Sequence, residues 1–365
     1  MTAPEPPVES IRLRPALDAL PAYVAGRPAP TGGPKRWKIS SNESPFPPLP
    51  EVREAVLEAV ERGNRYPDMG AVALREAIAA EHGVDPSRIC PSTGAVAVTG
   101  DLIRALVSEG DEVVYAWRSF EAYPILVGSH GGCAVPVPLT AGYEHDLEAM
   151  AAAITERTRL VILCTPNNPT GPSLSTGQIE DFLARVPEHV VVALDEAYRE
   201  FHDPATVADT GAILARHGNV VLLRTFSKMQ GIAGLRVGYA VAHPRLAAAL
   251  HQVTLPFGAS APAQAAALAT FQPAVRARLD EQAAWVRGER GRVQAALAAQ
   301  GWQLPPSQGN FVYFPLGEDS PAFLAHAEEH GVVLRGYGTD GVRATIAEAE
   351  ASDLLLQAAA SWLAR

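Results

Sequence analysis

The chain is poor in features that would tie it to an oxidising compartment, a metal, a membrane or a nucleic acid. Only three cysteines occur in 365 residues, Cys90, Cys133 and Cys164, with no CxxC pair and no metal-ligand spacing. Neither a disulfide framework nor a thiolate metal site is expected. Each cysteine lies in or beside an apolar stretch, which predicts buried free thiols. Ten histidines are scattered without an HExxH or similar pattern, so no metal is expected. A formal net charge of −10 disfavours nonspecific binding to nucleic acid or anionic membrane. No apolar run is long enough to span a bilayer, and MTAPEPPVES has neither a charged n-region nor an apolar h-region. A cytoplasmic location is expected. Aromatics are few, at 7%, yet 47% of residues are hydrophobic and 19% charged. That leaves ample material for a buried core and argues against disorder. Lysine is scarcest of all: Lys35, Lys38 and Lys228 are the only three among thirty lysines and arginines. An arginine-heavy, alanine-rich chain suggests a GC-rich genome, which explains the shortage but not the lysine at 228.

Short β-branched runs alternate with helix-period stretches through the first two-thirds. Residues 113–115, 160–164, 190–194, 220–223 and 237–241 read as buried strands, and 147–154 and 179–185 as helices. Alternation of this kind predicts an α/β domain with a largely parallel sheet. Longer helices are predicted over 52–62 and 263–299, the latter broken near Gln272-Pro273. After about residue 305 the pattern changes: strands at 310–314 and 332–334 and helices at 322–330 and 351–363 predict a smaller α+β domain. The length suits one large and one smaller domain. The division expected is an N-terminal arm with part of the small domain (1–39), a large domain (40–255) and a small C-terminal domain (256–365). The proline- and glycine-rich first forty residues read as a linker or as an arm packing on a partner or over a site.

Four segments carry chemistry. Arg224-Thr225-Phe226-Ser227-Lys228 follows an apolar strand and precedes a glycine-rich segment containing Arg236. A lysine at a strand exit is ordinarily surface charge. A hydroxyl and a guanidinium beside an amine, however, suit a ligand carrying both an aldehyde and a phosphate. Asp195 ends a second strand, at the edge where open α/β sheets bind ligands. A carboxylate there needs a cation, although a helix cap would equally explain it alone. Tyr198 follows within one turn. Pro166-Asn167-Asn168-Pro169-Thr170-Gly171 fixes a turn after a third strand and makes Asn168 a rigid amide donor. Gly94, Ala95 and Val96 open a helix whose free N–H groups suit a phosphate, a weak signal by itself.

These segments together resemble the fold-type I pyridoxal-phosphate aminotransferases. Ser-Ser-Asn-Glu-Ser-Pro at 40–45, Arg-Tyr-Pro-Asp at 65–68, the segments at 166–171 and 224–228, and Ala-Gly-Leu-Arg-Val-Gly-Tyr-Ala at 233–240 are similar to the histidinol-phosphate aminotransferase branch. Tyr-Ala-Trp-Arg-Ser-Phe-Glu-Ala-Tyr-Pro at 115–124 is most like the actinobacterial aromatic amino-acid (phenylalanine) aminotransferases. The likeness runs from about Leu20 to the C-terminus. It implies a large domain with a mostly parallel central sheet, pyridoxal 5′-phosphate as cofactor, and a homodimer with shared sites. It further implies Lys228 as the Schiff-base and proton-shuttling residue and Asp195 as partner of the pyridine nitrogen. Asn168 and Tyr198 would hold the phenolate oxygen, and Phe120 would stack on the ring. Ser227, Arg236, the backbone at Gly94, Ala95 and Val96, and Tyr66 from a second subunit would hold the phosphate. Arg343 would clamp the substrate α-carboxylate, with Arg335, Tyr23 and Asn42 lining the substrate side.

Departures from the branch fall at Met229-Gln230, where alanine and an aromatic are usual, and at Ser92 and Ala347, both in place of glycine. Gly100-Asp101 stands where the aromatic group has two polar amides. The resemblance implies transfer of an amino group between an aromatic L-amino acid and a 2-oxo acid, with 2-oxoglutarate as acceptor. Histidinol-phosphate aminotransferase is the alternative, and its phosphorylated substrate would need a cation such as Arg335. A decarboxylase of phosphorylated threonine, an enzyme of a specialised pathway and a noncatalytic cofactor-binding regulator are lesser alternatives. The regulator would carry a basic helix-turn-helix domain, for which this acidic chain has no room.

Overall fold

Apolar strand runs bounded by turn residues build the centre of the molecule. The computed structural model describes residues 12–18, 20–22, 26 and 35–365, so most of the proline-rich arm lies outside the described residues. The chain first forms β1 (Trp37–Lys38), α1 (Pro50–Glu61), α2 (Val72–His82), β2 (Ile89–Ser92) and α3 (Ala95–Leu106). It continues through β3 (Glu112–Trp117), α4 (Ala122–Ser129), β4 (Cys133–Pro138), α5 (Leu147–Ala152) and β5 (Thr158–Cys164). Then come α6 (Thr176–Leu183), β6 (Val191–Asp195), α7 (Thr210–Arg216), β7 (Val220–Thr225) and β8 (Gly238–Val241).

Seven of these strands form one sheet in the order β2-β8-β7-β6-β5-β3-β4, with every neighbouring pair parallel except those made by β8. Side chains alternate between two cores. Val220 and Leu222 enter one cluster while Val221 and Leu223 enter the other, and β5 divides in the same way. Both faces are thus covered by helices, which is why these strands read as unbroken apolar runs. Each such fully buried side chain stabilises the fold by about 1.5–3 kcal/mol. Serine and aspartate set the helix starts: Ser175 and Gln178 form a capping box on α6, and Asp146 and Asp209 cap α5 and α7.

The rest of the chain forms α8 (Pro244–Val253), α9 (Ala261–Ala269), α10 (Pro273–Gln300), β9 (Phe311–Phe314), α11 (Ser320–Glu329), β10 (Val332–Val333), β11 (Arg335–Gly336), β12 (Val342–Thr345) and α12 (Ala349–Leu363). The expected break near Gln272-Pro273 separates α9 from α10. Strands β11, β12 and β9 make a three-stranded antiparallel sheet. Trp37 and Lys38 pair in parallel with Val332 and Val333, which carries the N-terminal chain to the C-terminal layer. Thr345 N–H then bonds to the Ile39 carbonyl, bringing residues 40–43 past the sheet's ligand-binding edge.

One expectation fails here. Cys90 and Cys164 are buried free thiols, but Cys133 is exposed. It begins β4, an edge strand whose outward side chains are not covered. Among the described residues no helix is long and apolar enough to cross a membrane.

Candidate active site

The parallel strands all end on one side, and the segments that follow them converge on a cavity of about 230 Å³. Phe120 follows β3, Asn168 follows β5, Asp195 is the last residue of β6, and Ser227 and Lys228 follow β7; all line it. Ala95 and Val96 reach it from the start of α3, and Arg236 from the turn before β8. Tyr198, Ser41 and Glu43 also line it.

Among the described residues Lys228 Nζ donates only to backbone carbonyls, those of Asn42 at 3.2 Å and Ser41 at 3.4 Å. Burial pushes its pKa down to about 7, helped by the nearby Arg343 and Arg236 charges and opposed by Glu43 and Asp195. The amine is therefore a nucleophile near neutral pH. The rate at which an added aldehyde condenses with Lys228 in the cofactor-free protein is expected to rise with pH to a half-maximum near 7. Stopped-flow absorbance checks this, and a half-maximum near the free-lysine value of roughly 10.4 would contradict it.

Asp195 is buried, 5% exposed, and burial raises its pKa. Its partners are neutral donors: the Tyr123 hydroxyl at 2.6 Å and the Ala197 N–H at 3.2 Å. Such a carboxylate is costly unless a ligand brings a cation. Asn168 Oδ1 accepts from Arg343 Nη1, whose Nη2 donates to the Ser40 carbonyl at 2.8 Å. Arg343 Nε has no partner, and among the described residues no carboxylate pairs with this buried guanidinium. Asn42 Nδ2 donates to the Tyr198 hydroxyl at 3.0 Å, and its Oδ1 accepts from Thr345 Oγ1 at 3.0 Å.

The opposite end of the cavity is built for an anion. Gly94 caps α3 with φ at +91°, and a Cβ there would stand 2.5 Å from Arg236 Nη2. Glycine therefore serves both the backbone turn and the close approach of the guanidinium. Arg236 Nη1 donates to Ser227 Oγ at 3.3 Å and to the Ala233 carbonyl at 2.9 Å. The free N–H groups of the first turn of α3 add a fixed partial positive charge.

Most of the site residues expected from sequence thus meet in one place. Tyr66 does not: it is 82% exposed and stacks on Phe257 with ring centroids 4.7 Å apart. Arg335 lies beside Arg343, and neither is on the cavity wall; Arg343 reaches the site through Asn168. Tyr23 lies outside the described residues. Sequence reasoning missed Tyr123, Ser41, Glu43 and Glu121. Tyr123 had a legible signal, standing three residues after Phe120 where a helical turn begins.

Two departures prove to be one contact. Ser92 Oγ donates to Asp101 Oδ2 at 2.9 Å, a carboxylate also held by Thr254 Oγ1 at 2.9 Å and Arg104 Nη1 at 3.0 Å. Met229 is buried in the core. Gln230 lines a larger cavity of about 410 Å³ with His82, Arg224 and Tyr239. That cavity lies across β7 from Lys228, since Arg224 faces one and Thr225 the other. Nothing in the structure explains Ala347.

A lysine amine whose pKa is lowered to about 7, a buried carboxylate held by neutral donors, an amide and a phenol on one wall, and an anion cradle together fit pyridoxal phosphate. The pattern of the family described as aminotransferase class I and II matches residues 35–358. An aromatic amino acid aminotransferase of Rhodococcus opacus (strain B4) is 50% identical over 354 residues, 97% of each chain. That of Streptomyces coelicolor is 49% identical over 348 residues, 95% of this chain and 96% of its own. Among solved structures, histidinol-phosphate aminotransferase from Sinorhizobium meliloti in complex with pyridoxal-5′-phosphate matches with a TM-score of 0.86 and 30% identity. It covers 96% of this chain and 97% of its own.

Proposed function

The chain belongs to the class I and II aminotransferases, and from that membership we propose that it moves an amino group from an aromatic L-amino acid to a 2-oxo acid. The acceptor we propose is 2-oxoglutarate, and the cofactor site is the cavity at Lys228. The observation that carries the reading is the joint placement of Lys228, Asp195 and Asn168 in one cavity, with Arg343 held against Asn168. Pyridoxal phosphate, when bound, supplies a carbonyl conjugated to a pyridinium ring that draws off electrons released at the substrate Cα.

The chain's own residues do the rest. Lys228 Nζ would hold the cofactor and, as a free amine, would accept the proton that leaves the substrate Cα. Its lowered pKa keeps it able to take and return that proton near pH 7. Asp195 supplies the negative charge for the ring nitrogen, and Tyr123 holds that carboxylate in place. Asn168 and Tyr198 orient the ring oxygen, Phe120 covers the ring, and Ser227, Arg236 and residues 94–96 take the phosphate. Arg343 takes the substrate α-carboxylate through its unpartnered Nε.

Aromatic donors are supported by the names of the Rhodococcus and Streptomyces relatives. The histidinol-phosphate reading draws on the Sinorhizobium likeness. A substrate phosphate would seek Arg335, but that arginine already holds a carboxylate, Glu121, at 2.5 Å. Mixing holoenzyme with phenylalanine is expected to shift the bound cofactor's visible absorption and release one phenylpyruvate per site. No shift with phenylalanine, tyrosine or histidinol phosphate would sink the reading.

We also propose a homodimer. Tyr66, Met69, Leu255 and Phe257 are all exposed, at 82%, 65%, 66% and 41%, an apolar set of the kind that marks an interface. A second copy would bury it and bring Tyr66 to the neighbouring phosphate cradle. Light scattering that finds a fully active monomer would overturn this.

A further inference from the structure

Two buried arginines stand side by side on the small sheet, and their charges are met differently. Arg335 on β11 and Arg343 on β12 are cross-strand partners in antiparallel register, so both side chains leave one face. They are 8% and 6% exposed. Among the described residues Arg343 has only neutral partners, the Asn168 amide oxygen and the Ser40 carbonyl, and an unpartnered Nε. Arg335 is ion-paired to Glu121 at 2.5 Å. Glu121 comes from the other layer, directly after Phe120 on the cavity wall. The Tyr337 ring is near both arginines, its centroid 5.6 Å from the Arg335 guanidinium carbon and 5.7 Å from that of Arg343.

We propose that Glu121 is a resident counter-anion for Arg335 and thereby sets which substrate side chains the site accepts. The inference rests on the aminotransferase reading above. With Arg343 open and Arg335 already paired, the small-sheet side of the site offers one arginine without a carboxylate among the described residues, which suits one α-carboxylate. An uncharged aromatic side chain arriving beside Arg335 meets a neutral pair and leaves it intact. A side chain with its own carboxylate or phosphate must take Arg335 from Glu121 and leave that carboxylate without a cation. Glu121 is the more exposed partner, its side chain 27% accessible against 9% for Arg335. It is therefore the group that turns to water when a dicarboxylate such as 2-oxoglutarate enters. One arginine can in this way serve a neutral donor and an anionic acceptor in alternation.

The test compares Glu121→Gln with the unaltered holoenzyme, using two unreactive analogues and calorimetry. Glutarate stands for a substrate with a distal carboxylate and 3-phenylpropanoate for one with an aromatic ring. In Glu121→Gln the Kd for glutarate is expected to fall about tenfold relative to that for 3-phenylpropanoate. The kcat/KM ratio of glutamate to phenylalanine is expected to rise in step. A Kd ratio within twofold of the unaltered protein overturns the proposal. Bound-cofactor absorbance and cooperative melting show whether the variant is folded. Should it not fold, Arg335→Gln gives the converse test: Glu121 is left unpaired, and glutarate should weaken about tenfold or more against 3-phenylpropanoate. An unchanged ratio there also overturns the proposal. Because binding needs no turnover, absent transamination would refute the functional reading while the Kd ratio still judges Glu121.

Discussion

Replacing Lys228 by alanine is expected to lower the single-turnover rate with phenylalanine by at least about 10⁴-fold, since both the attacking amine and the proton carrier are lost. The visible absorption of covalently held cofactor should disappear, and a persisting band would refute the assignment. The fold should survive. Among the described residues Lys228 Nζ bonds only to two backbone carbonyls, at 3.2 and 3.4 Å, and its burial is a cost to the folded chain. The linkage has a definite sign. The folded protein, with the lysine pKa down to about 7, binds that proton less tightly than the unfolded chain does. Cofactor-free wild type should therefore gain stability as pH rises from about 7 toward the unfolded value of roughly 10.4. The alanine variant lacks that gain, so its stability advantage should shrink between pH 7 and pH 9. Urea unfolding at the two pH values measures it. Equal pH dependence in both proteins would mean that Lys228 is not the depressed amine.

The parts of the fold that could be read from the chain are those buried on both faces. Strands β3, β5, β6 and β7 lie inside the parallel sheet, so no polar alternation interrupts their apolar runs. Strand β4 was not legible because Pro136 and Pro138 sit in it, and a strand with prolines is tolerated only where its N–H groups face no partner. Its edge position also explains why Cys133 is exposed. Strand β2 is four residues long and contains Pro91, which hid it for the same reason. The candidate site was legible where each chemical group follows its own strand, as Asn168, Asp195 and Lys228 do. It was not legible where function rests on pairs remote in sequence. Glu121 and Arg335 are 214 positions apart, and neither residue alone signals the other. Ser92 and Asp101 each read as a departure, and only their contact shows that one compensates the other. Tyr66 stands exposed beside Phe257, away from the cavity, and only the homodimer proposed above would bring it to a phosphate cradle.

Substituting Asp195 by asparagine should move activity and stability in opposite directions. Asparagine keeps the size of the side chain and an oxygen for the Tyr123 hydroxyl, which donates at 2.6 Å, but it removes the charge. Without that counter-charge a bound cofactor's ring nitrogen would lose its proton more readily, and the ring would withdraw electrons less well. The single-turnover rate should fall by about 10³-fold, the scale set by removing one preorganised electrostatic contact. The same change relieves a buried carboxylate whose pKa is raised by burial in the cofactor-free chain. Its folded form holds the proton more tightly than the unfolded form, so the carboxylate lowers stability as pH rises above the ordinary Asp value of about 3.9. Cofactor-free Asp195→Asn should therefore be more stable than wild type at pH 7 in urea unfolding, even with one acceptor lost to the Tyr123 and Ala197 donors. A purely structural Asp195, holding Tyr123 and the turn at Ala197, predicts a loss of stability instead. A rate loss below tenfold would remove Asp195 from the ring nitrogen. A carboxylate present for a bound cation and not for the fold is the one arrangement that yields a slower enzyme and a firmer apoprotein from the same substitution.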